Sequence, residues 1–269
     1  MVNPSYVIQE GRLPGIFEGF YQIADHTIRI RSIYESVHLQ CQKYQIKEQK
    51  ADFTISIDQA DIDAERRKAE MLAQRTGGPK PRFSDAYFET LAIYRKLADK
   101  LIMDDILLFH GSCISVDGEG YLFAAKSGTG KSTHTRLWRA AFGSRAVMVN
   151  DDKPLLKIQE GCITAFGTPW SGKHHLDNNL SVQLKAICIL ERAEQNEIRR
   201  ITSKEAYPIL FQQTNKPRDA QLMQKTLQLL DVLKESVSLY RLGCNQELNA
   251  AHISFEGMQN QEKSGIGII

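Results

Sequence analysis

The sequence has no long apolar run, no strong net charge and no paired cysteines, and each of these absences excludes a class of protein. No apolar stretch approaches the roughly 18 residues that a membrane span needs, and no basic segment precedes an apolar one at the N-terminus. We therefore expect neither a secretory signal nor a membrane partner. The net charge of +2 gives no overall field that would favour a nucleic acid partner. The five cysteines are odd in number and form no C-x-x-C motif, which indicates reduced thiols and a cytoplasmic location.

The composition is that of a soluble globular chain, and residues 1–104 are predicted to form a small α+β unit. Apolar residues make up 42% and charged residues 25% of the 269 residues, enough to bury a sizeable core. In HTIRIRS (26–32) and DFTISID (52–58), apolar and polar residues alternate, which predicts half-buried strands in an antiparallel sheet. The same alternation recurs at Val37, Leu39 and Cys41.

A loop and a helix are predicted to follow in this unit. Glycine and proline in TGGPKP (76–81) interrupt any regular element. In FSDAYFETLAIYRKLADKLIM (83–103), apolar residues recur at spacings of three and four, so we expect an amphipathic helix with Ser84 or Asp85 as its N-cap. The apolar stripe consists of Tyr87, Leu91, Tyr94, Ala98 and Leu101.

The second part of the chain, residues 105–269, alternates apolar β-rich runs with helical patterns. The runs GYLFAA (120–125), AVMV (146–149) and LKAICILER (184–192) are predicted strands. A long amphipathic helix is predicted over RDAQLMQKTLQLLDVLKESV (218–237). Strands that alternate with helices predict an α/β domain with a mixed or parallel sheet.

A candidate phosphate-binding loop lies between a predicted strand and a predicted helix. Residues 125–132 read AKSGTGKS, which matches the Walker A pattern G-x-x-x-x-G-K-[ST] except that Ala125 replaces the first glycine. In this motif the backbone N–H groups and the helix N-terminus surround the phosphates, the lysine (Lys131) reaches the β- and γ-phosphates, and the Ser132 hydroxyl ligates Mg²⁺. The alternative is an ordinary glycine turn before a helix. The predicted nucleotide-binding residues are Ser127, Gly128, Thr129, Gly130, Lys131, Ser132 and Thr133.

An acidic pair, Asp151 and Asp152, follows the apolar strand AVMV and one asparagine. Carboxylates at the C-terminal edge of a strand beside a phosphate loop stand where Mg²⁺ must be held. The metal does not need both, so the second carboxylate could accept the proton of an attacking hydroxyl. The alternative is a polar transition from a strand to a turn at Asp152, Lys153 and Pro154.

A histidine, His110, interrupts the apolar run ILLFHGSCI (106–114). A strand, a turn at DGEG and a second strand fill the interval between this histidine and the phosphate loop. Such a hairpin could bring His110 beside the strand that feeds the phosphate loop, where it could orient or charge-balance Asp151. The alternative is a core histidine with satisfied hydrogen bonds.

The segment GTPWSGKHH (167–175) is predicted to be a loop shaped by glycine and proline. Lys173 could neutralise charge on a γ-phosphoryl group in the transition state. Trp170 could stack on a base or a substrate ring, or pack on the core. The two histidines at the end of the loop suggest a metal site with Asp177 only weakly, because adjacent histidines point in different directions.

The combination of an H-G pair, a hairpin, SGTGKST and a D-D pair at a strand end resembles the P-loop domain of HPr kinase/phosphorylase and phosphoenolpyruvate carboxykinase. The phrases SGTGKSTHTRLW, NDDKP and GTPWSGKHH resemble a bacterial branch of these kinases that is sometimes found with peptide-modifying gene clusters. The resemblance covers about Leu107 to Leu190 and implies an α/β P-loop kinase domain with a mixed sheet. The chain departs from the family in lacking the glycine-rich segment of HPr kinases after the acidic pair, and it is too short for a full carboxykinase.

The resemblance implies a role for each matching residue. Lys131 would hold the β- and γ-phosphates, and Asp151 would accept the proton of a serine with help from His110. Asp152 and Ser132 would lie on the Mg²⁺ side.

We therefore predict a Mg-ATP-dependent kinase whose acceptor is a serine of a peptide or small protein. A kinase for a small metabolite, or a carboxykinase-like phosphotransferase, is an alternative with the same chemistry. A nucleotide-binding sensor without turnover is a second alternative. The sequence leaves the oligomeric state open.

Overall fold

The computed structural model describes residues 14–126 and 128–259, and within them the chain forms a mixed α/β structure. A small sheet occupies the first part of the chain and a large mixed sheet the second. In these two ranges, no helix combines the length and the apolar character needed to cross a bilayer.

The small sheet consists of β1 (Phe17–Ile23), β2 (His26–Ser32), β3 (Gln45–Ile46) and β4 (Phe53–Ser56). Its strand order is β3-β1-β2-β4. Strands β1 and β2 pair antiparallel, as the sequence predicts, whereas β4 joins β2 in parallel. A parallel neighbour requires a long connection, and residues 33–52 supply it between β2 and β4.

The α-helices that accompany this sheet are α1 (Ser36–Gln40), α2 (Gln59–Thr76) and α3 (Asp85–Leu101). The helix predicted from the apolar stripe is confirmed as α3, and the Ser84 hydroxyl caps it by accepting the N–H of Tyr87. Helix α2 ends at Gly77, whose φ of 65° requires the left-handed conformation that glycine adopts without strain. The loop predicted at TGGPKP is therefore confirmed from its second residue onward.

The strand suggested by alternation at Val37, Leu39 and Cys41 is wrong, because this segment forms α1 and its C-cap. Val37 and Cys41 lie four residues apart and are both buried, as residues on one face of a helix are. Leu39 is 57% exposed. Three alternating residues fit both the period of a strand and that of a helix. Only the exposure of the middle residue, Leu39, distinguishes the two structures.

The large sheet contains strands from residue 106 onward. They are β5 (Ile106–Leu108), β6 (Ser112–Val116), β7 (Glu119–Ala124), β8 (Ala146–Asn150), β9 (Leu155–Gln159), β10 (Cys162–Phe166), β11 (Ser181–Arg192), β12 (Glu197–Arg200) and β13 (Ser238–Cys244). The helices of this part are α4 (Lys131–Phe142), α5 (Ser203–Gln213), α6 (Ala220–Ser236) and α7 (Asn249–Gln259). The predicted strands and the long helix are confirmed, whereas β9, β12 and α5 were not expected from the sequence.

The strand order of the large sheet is β5-β9-β10-β11-β7-β6-β8, with β13 against β11 and β12 against β13. Strands β7, β11 and β13 run parallel. Strand β8 has the same direction as β7, since both are antiparallel to β6. The carboxyl ends of β7, β8, β11 and β13 therefore meet at one edge of the sheet, where α/β proteins place their ligands.

Helices cover both faces of this sheet, and successive side chains of its strands alternate between two cores. In β7, Tyr121 and Phe123 pack with α4 and α7, whereas Leu122 and Ala124 pack with α5 and α6. In β11, Cys188 lies on the first face. This explains why LKAICILER is apolar at consecutive positions, since a strand covered on both faces has no solvent side.

A third core joins the two parts of the chain. It contains the small sheet and α3 together with Ile106, Leu108, Leu155 and Trp170 from the second part. Apolar packing is therefore continuous across the boundary predicted at residues 104 and 105. The boundary itself stays a prediction.

Candidate active site

The glycine loop connects the end of β7 to the first residue of α4. Gly128 and Gly130 have φ values of 78° and 126°, which residues with a side chain rarely adopt. The backbone conformation therefore requires glycine at both positions. Ala125 is fully buried and is not among the residues with positive φ. An alanine is therefore compatible with this position of the pattern. Helix α4 begins at Lys131, directly after the loop, as the pattern predicts.

The first turn of α4 carries the remaining predicted nucleotide-binding side chains. Ser132 is exposed and Thr133 is half-buried. The first intrahelical bond runs from the N–H of His134 to Gly130, so the N–H groups before it are not used within the helix and can meet an anion. Ser127 lies outside the described residues.

A buried asparagine shapes the turn that carries the acidic pair. Asn150 is the last residue of β8 and is fully buried. Its Oδ1 accepts the backbone N–H groups of Asp152 and Lys153 at 2.8 and 2.6 Å, and its Nδ2 donates to the carbonyl of Thr168 at 2.9 Å. This asparagine therefore fixes the acidic turn to the loop GTPWSGKHH, a role that no pattern in the sequence indicates.

The first aspartate of the pair, Asp151, is 6% exposed. The Ser112 hydroxyl of β6 lies 2.5 Å from its Oδ1, and the Thr135 hydroxyl of α4 lies 3.4 Å from the same oxygen. Both hydrogen bonds end on Oδ1. Asp151 thus links the acidic turn to β6 and to the helix that follows the glycine loop.

The second aspartate, Asp152, forms a cluster with His110, Lys131 and Lys153. Its Oδ1 lies 3.1 Å from His110 Nε2 and 3.4 Å from Lys153 Nζ. Lys131 Nζ lies 3.3 Å from His110 Nε2. The β6–β7 hairpin brings His110 beside the loop lysine, but the carboxylate that His110 contacts is that of Asp152 and not the expected Asp151.

Burial and mutual charge set the pKa values in this cluster. Burial would raise the pKa of Asp152, but the hydrogen bond from His110 and the charge of Lys153 outweigh it and lower that pKa to about 2. Burial lowers the pKa of His110 below 6.5, with the bond to Asp152 opposing it. Burial also lowers the pKa values of Lys131 and Lys153, with Asp152 opposing it in both. At pH 7 the cluster therefore contains an ionised carboxylate and a neutral imidazole.

The loop GTPWSGKHH packs against the acidic turn. The Thr168 hydroxyl donates to the carbonyl of Lys153 at 2.7 Å, and a Cβ added at Gly172 would lie 3.2 Å from the Cβ of Asp152. Lys173 is exposed in the 3₁₀ turn Gly172–His174 that follows. Lys173 therefore directly follows Gly172, the residue that lies close to Asp152.

The N-terminal part of the chain holds this loop from the other side. Trp170 is 6% exposed and packs against Tyr94, with ring centroids 6.1 Å apart, so it belongs to the core and does not present its ring to a ligand. The buried carboxylate of Asp177 accepts from Ser171 at 2.5 Å and from Tyr44 at 3.2 Å. These contacts engage Asp177 as an anchor between the two parts of the chain.

The donor set suits Mg²⁺ held jointly with a nucleotide. Mg²⁺ prefers oxygen ligands and is bound through one or two protein groups plus phosphate oxygens and water. Ser132 offers an exposed hydroxyl and Asp152 an ionised carboxylate. No group of three or more His, Cys, Asp and Glu side chains in residues 14–126 and 128–259 could hold a metal ion alone. A metal ion here would therefore depend on the phosphates for its remaining ligands.

Comparison with known proteins gives one family match. The family model of the SynChlorMet cassette protein ScmC matches residues 88–234, more than half of the chain, and the match includes His110, Lys131, both aspartates and Lys173. No curated protein matches the chain. A solved structure of the Hpr(Ser) kinase/phosphatase from Coxiella burnetii is similar over 57% of this chain and 88% of that one, with 12% sequence identity and a TM-score of 0.33. That likeness is too low to carry a conclusion about fold or activity.

Proposed function

This chain belongs to the SynChlorMet cassette protein ScmC family, and we propose that it is a Mg-ATP-dependent kinase that phosphorylates a serine of a peptide or small protein. The observation that carries the proposal is the cluster of His110, Lys131 and Asp152 beside the glycine loop. Phosphoryl transfer requires mainly positioning and neutralisation of charge, and the loop, its lysine and the carboxylates have the chemistry for both.

The nucleotide is assigned to the glycine loop and the first turn of α4. The backbone N–H groups there and the Lys131 ammonium would hold the phosphates, and Thr133 lies in the same turn. Ser132 and Asp152 would hold Mg²⁺, which neutralises charge on the β- and γ-phosphates when bound. Lys173, exposed beside the acidic turn, would reach the γ-phosphoryl group.

We assign the role of proton acceptor to Asp151. A carboxyl group with a pKa of about 2 is a weak base, and this argues against Asp152 in that role and for its place on the metal. The hydrogen bonds from Ser112 and Thr135 fix Asp151 through Oδ1, so its second oxygen is the one assigned to the acceptor hydroxyl. His110 would act through its contacts with Lys131 and Asp152.

The experiment measures transfer of label from γ-labelled ATP with Mg²⁺ to a pool of serine-containing peptides and, separately, to a pool of small metabolites. The variants are Asp151→Asn, which removes the proposed base, and Asp231→Asn, which changes an exposed aspartate on α6. We expect labelled peptide with the wild type and with Asp231→Asn. We expect a loss of at least about a hundredfold with Asp151→Asn.

Each alternative has a distinct result. Label in the metabolite pool alone would replace the peptide acceptor with a small molecule. Binding of ATP without transfer to either pool would favour a sensor. Transfer by Asp151→Asn at the wild-type rate would overturn the assignment of the base.

A further inference from the structure

A cavity of about 320 Å³ lies beside the glycine loop, at the carboxyl ends of β11 and β13. Gly128 and Thr133 line it on the side of the loop, and Arg192, Ala193 and Gln246 line it on the side of the strands. Its volume lies at the small end of the range for pockets that bind small molecules, roughly 300 to 1,000 Å³. Its position, outside the ends of parallel strands, is the usual one for ligands of open α/β sheets.

The cavity and the His110–Asp152 cluster lie on opposite flanks of the loop. Strand β7 feeds the loop and lies between β6 and β11 in the sheet. The cluster is built beyond the β6 side, from the turn after β8 and the connection between β5 and β6. The cavity is built beyond the β11 side. A triphosphate whose terminal group met Lys131 would therefore extend its other end toward the cavity.

Arg192 forms a fixed wall of the cavity. It is the last residue of β11, and it donates from Nη2 to the carbonyl of Gly128 at 2.6 Å and from Nε to the carbonyl of Thr129 at 3.4 Å. These bonds orient the plane of the guanidinium group next to the loop. A guanidinium held in one plane offers a cationic face on which an aromatic ring can stack.

Two further polar groups line the same space. Gln246 is exposed in the segment after β13, and its amide pairs a donor with an acceptor, as the hydrogen-bonding edge of a nucleobase does. His134 is 2% exposed, and its Nδ1 is buried without a hydrogen-bond partner among the residues that the structure describes. A buried nitrogen without a partner costs free energy, which a hydrogen bond to a water or a ligand group would recover.

We propose that this cavity binds the nucleoside of the phosphoryl donor, with the base stacked on Arg192 and its polar edge at Gln246. The inference rests on the proposed function, which supplies the nucleotide, and adds the subsite that distinguishes a nucleoside triphosphate from a bare triphosphate. The triphosphate is held by the loop and the nucleoside by the ends of β11 and β13.

The test compares two ligands that share the triphosphate, namely ATP and inorganic tripolyphosphate, each with Mg²⁺, by calorimetry. Ala193→Phe places a ring in the cavity, and Gln246→Ala removes the amide. Ala220→Phe is the matched control, since Ala220 is exposed at the start of α6. We expect Ala193→Phe to weaken ATP about tenfold or more and Gln246→Ala to weaken it several-fold, while tripolyphosphate binds all three variants as it binds the wild type.

The two ligands separate failure of this inference from failure of the proposed function. Unchanged ATP affinity in both cavity variants, with both ligands bound by the wild type, would overturn the subsite alone. Gln246→Ala changes one exposed side chain. Equal losses of affinity for ATP and for tripolyphosphate in this variant would also overturn the nucleoside subsite. A wild type that binds neither ligand would overturn the nucleotide site and the subsite together.

Discussion

His110 and Asp152 face each other across the gap between the β5–β6 connection and the turn after β8, with Nε2 and Oδ1 3.1 Å apart. The same nitrogen lies 3.3 Å from the ammonium of Lys131. An imidazole nitrogen donates to the carboxylate when it carries a proton and accepts from the ammonium when it does not. Whether Nε2 carries a proton therefore decides which of its two neighbours His110 binds.

Protonation of His110 is expected to reduce phosphotransfer. Burial lowers its pKa from 6.5, so the imidazole gains its charge at a lower pH than a free imidazole does. The added charge would stand beside Lys131 and Lys153 and would compete with Lys131 for Asp152. We expect a decline of kcat below pH 6.5 in the wild type, measured from pH 5 to pH 8. In His110→Asn the profile should be flat over the same range.

The same variant separates catalysis from binding. We expect His110→Asn to lower kcat about tenfold or more at pH 7.5 and to leave the Kd for ATP within about twofold, because the imidazole is assigned to the reacting end of the phosphates. His252→Asn on α7 serves as a control, since this histidine packs beside Phe142, away from the cluster. An unchanged kcat would assign His110 to the core.

Replacement of Lys131 tests the loop itself. We expect Lys131→Met to lower kcat/KM for ATP at least a hundredfold, or about 3 kcal/mol of transition-state stabilisation, because the charge proposed to contact the β- and γ-phosphates is lost. Lys204→Met on α5 changes an exposed lysine and should have no effect. Transfer by Lys131→Met at the rate of the control would contradict the assignment of the loop.

The parts of the site that the sequence predicted are those that local pattern encodes. The glycine loop needs a strand before it and a helix after it, and the strand, the loop and the helix follow one another directly in the sequence. The acidic pair and His110 could be selected because each interrupts or follows an apolar run close in sequence to the glycine loop. Their assembly at one edge follows from the direction of β7 and β8.

The parts that the sequence did not predict depend on contacts between distant segments. Ser112 and Asp151 are 39 residues apart, and Arg192 meets Gly128 across 64 residues. An isolated serine or arginine carries no signal of such a partner. His110 contacts Asp152 and not the expected Asp151 for the same reason. Asn150 fixes the backbone of the turn, and this determines which of the two aspartates faces His110.

The packing of the β10–β11 connection against β8 is expected to depend on Gly167. A Cβ at this position would overlap the carbonyl of Asn178 and lie 2.8 Å from the carbonyl of Val149, both of them backbone atoms that cannot rotate away. We expect Gly167→Ala to lower the free energy of unfolding by about 3 kcal/mol, measured by chemical denaturation. Gly78→Ala is the matched control, since its added methyl would have its nearest neighbour at 3.5 Å. Equal stabilities of the two variants would contradict this account.

The buried carboxyl group of Glu89 gives the protein a pH-dependent stability that is independent of the site. Glu89 is fully buried on α3 and accepts the backbone N–H groups of Ile33 and Tyr34 at 2.5 and 3.0 Å. Burial raises its pKa from 4.5 to about 6, against these two hydrogen bonds. The folded state therefore holds the proton more tightly than the unfolded chain, and this stabilisation is complete below pH 4.5 and lost as the pH rises through 6.

The loss expected from Glu89 is about 2 kcal/mol, since each unit of pKa corresponds to about 1.4 kcal/mol. Chemical denaturation at pH 4 and pH 7 measures it as the difference between the wild type and Glu89→Gln, which does not titrate. We expect the free energy of unfolding to fall by about 2 kcal/mol more in the wild type than in the variant between these two pH values. A wild type that gains stability relative to the variant over the same interval would mean that the two backbone N–H groups outweigh burial, so that the ionised carboxylate is the form that joins α3 to the end of β2.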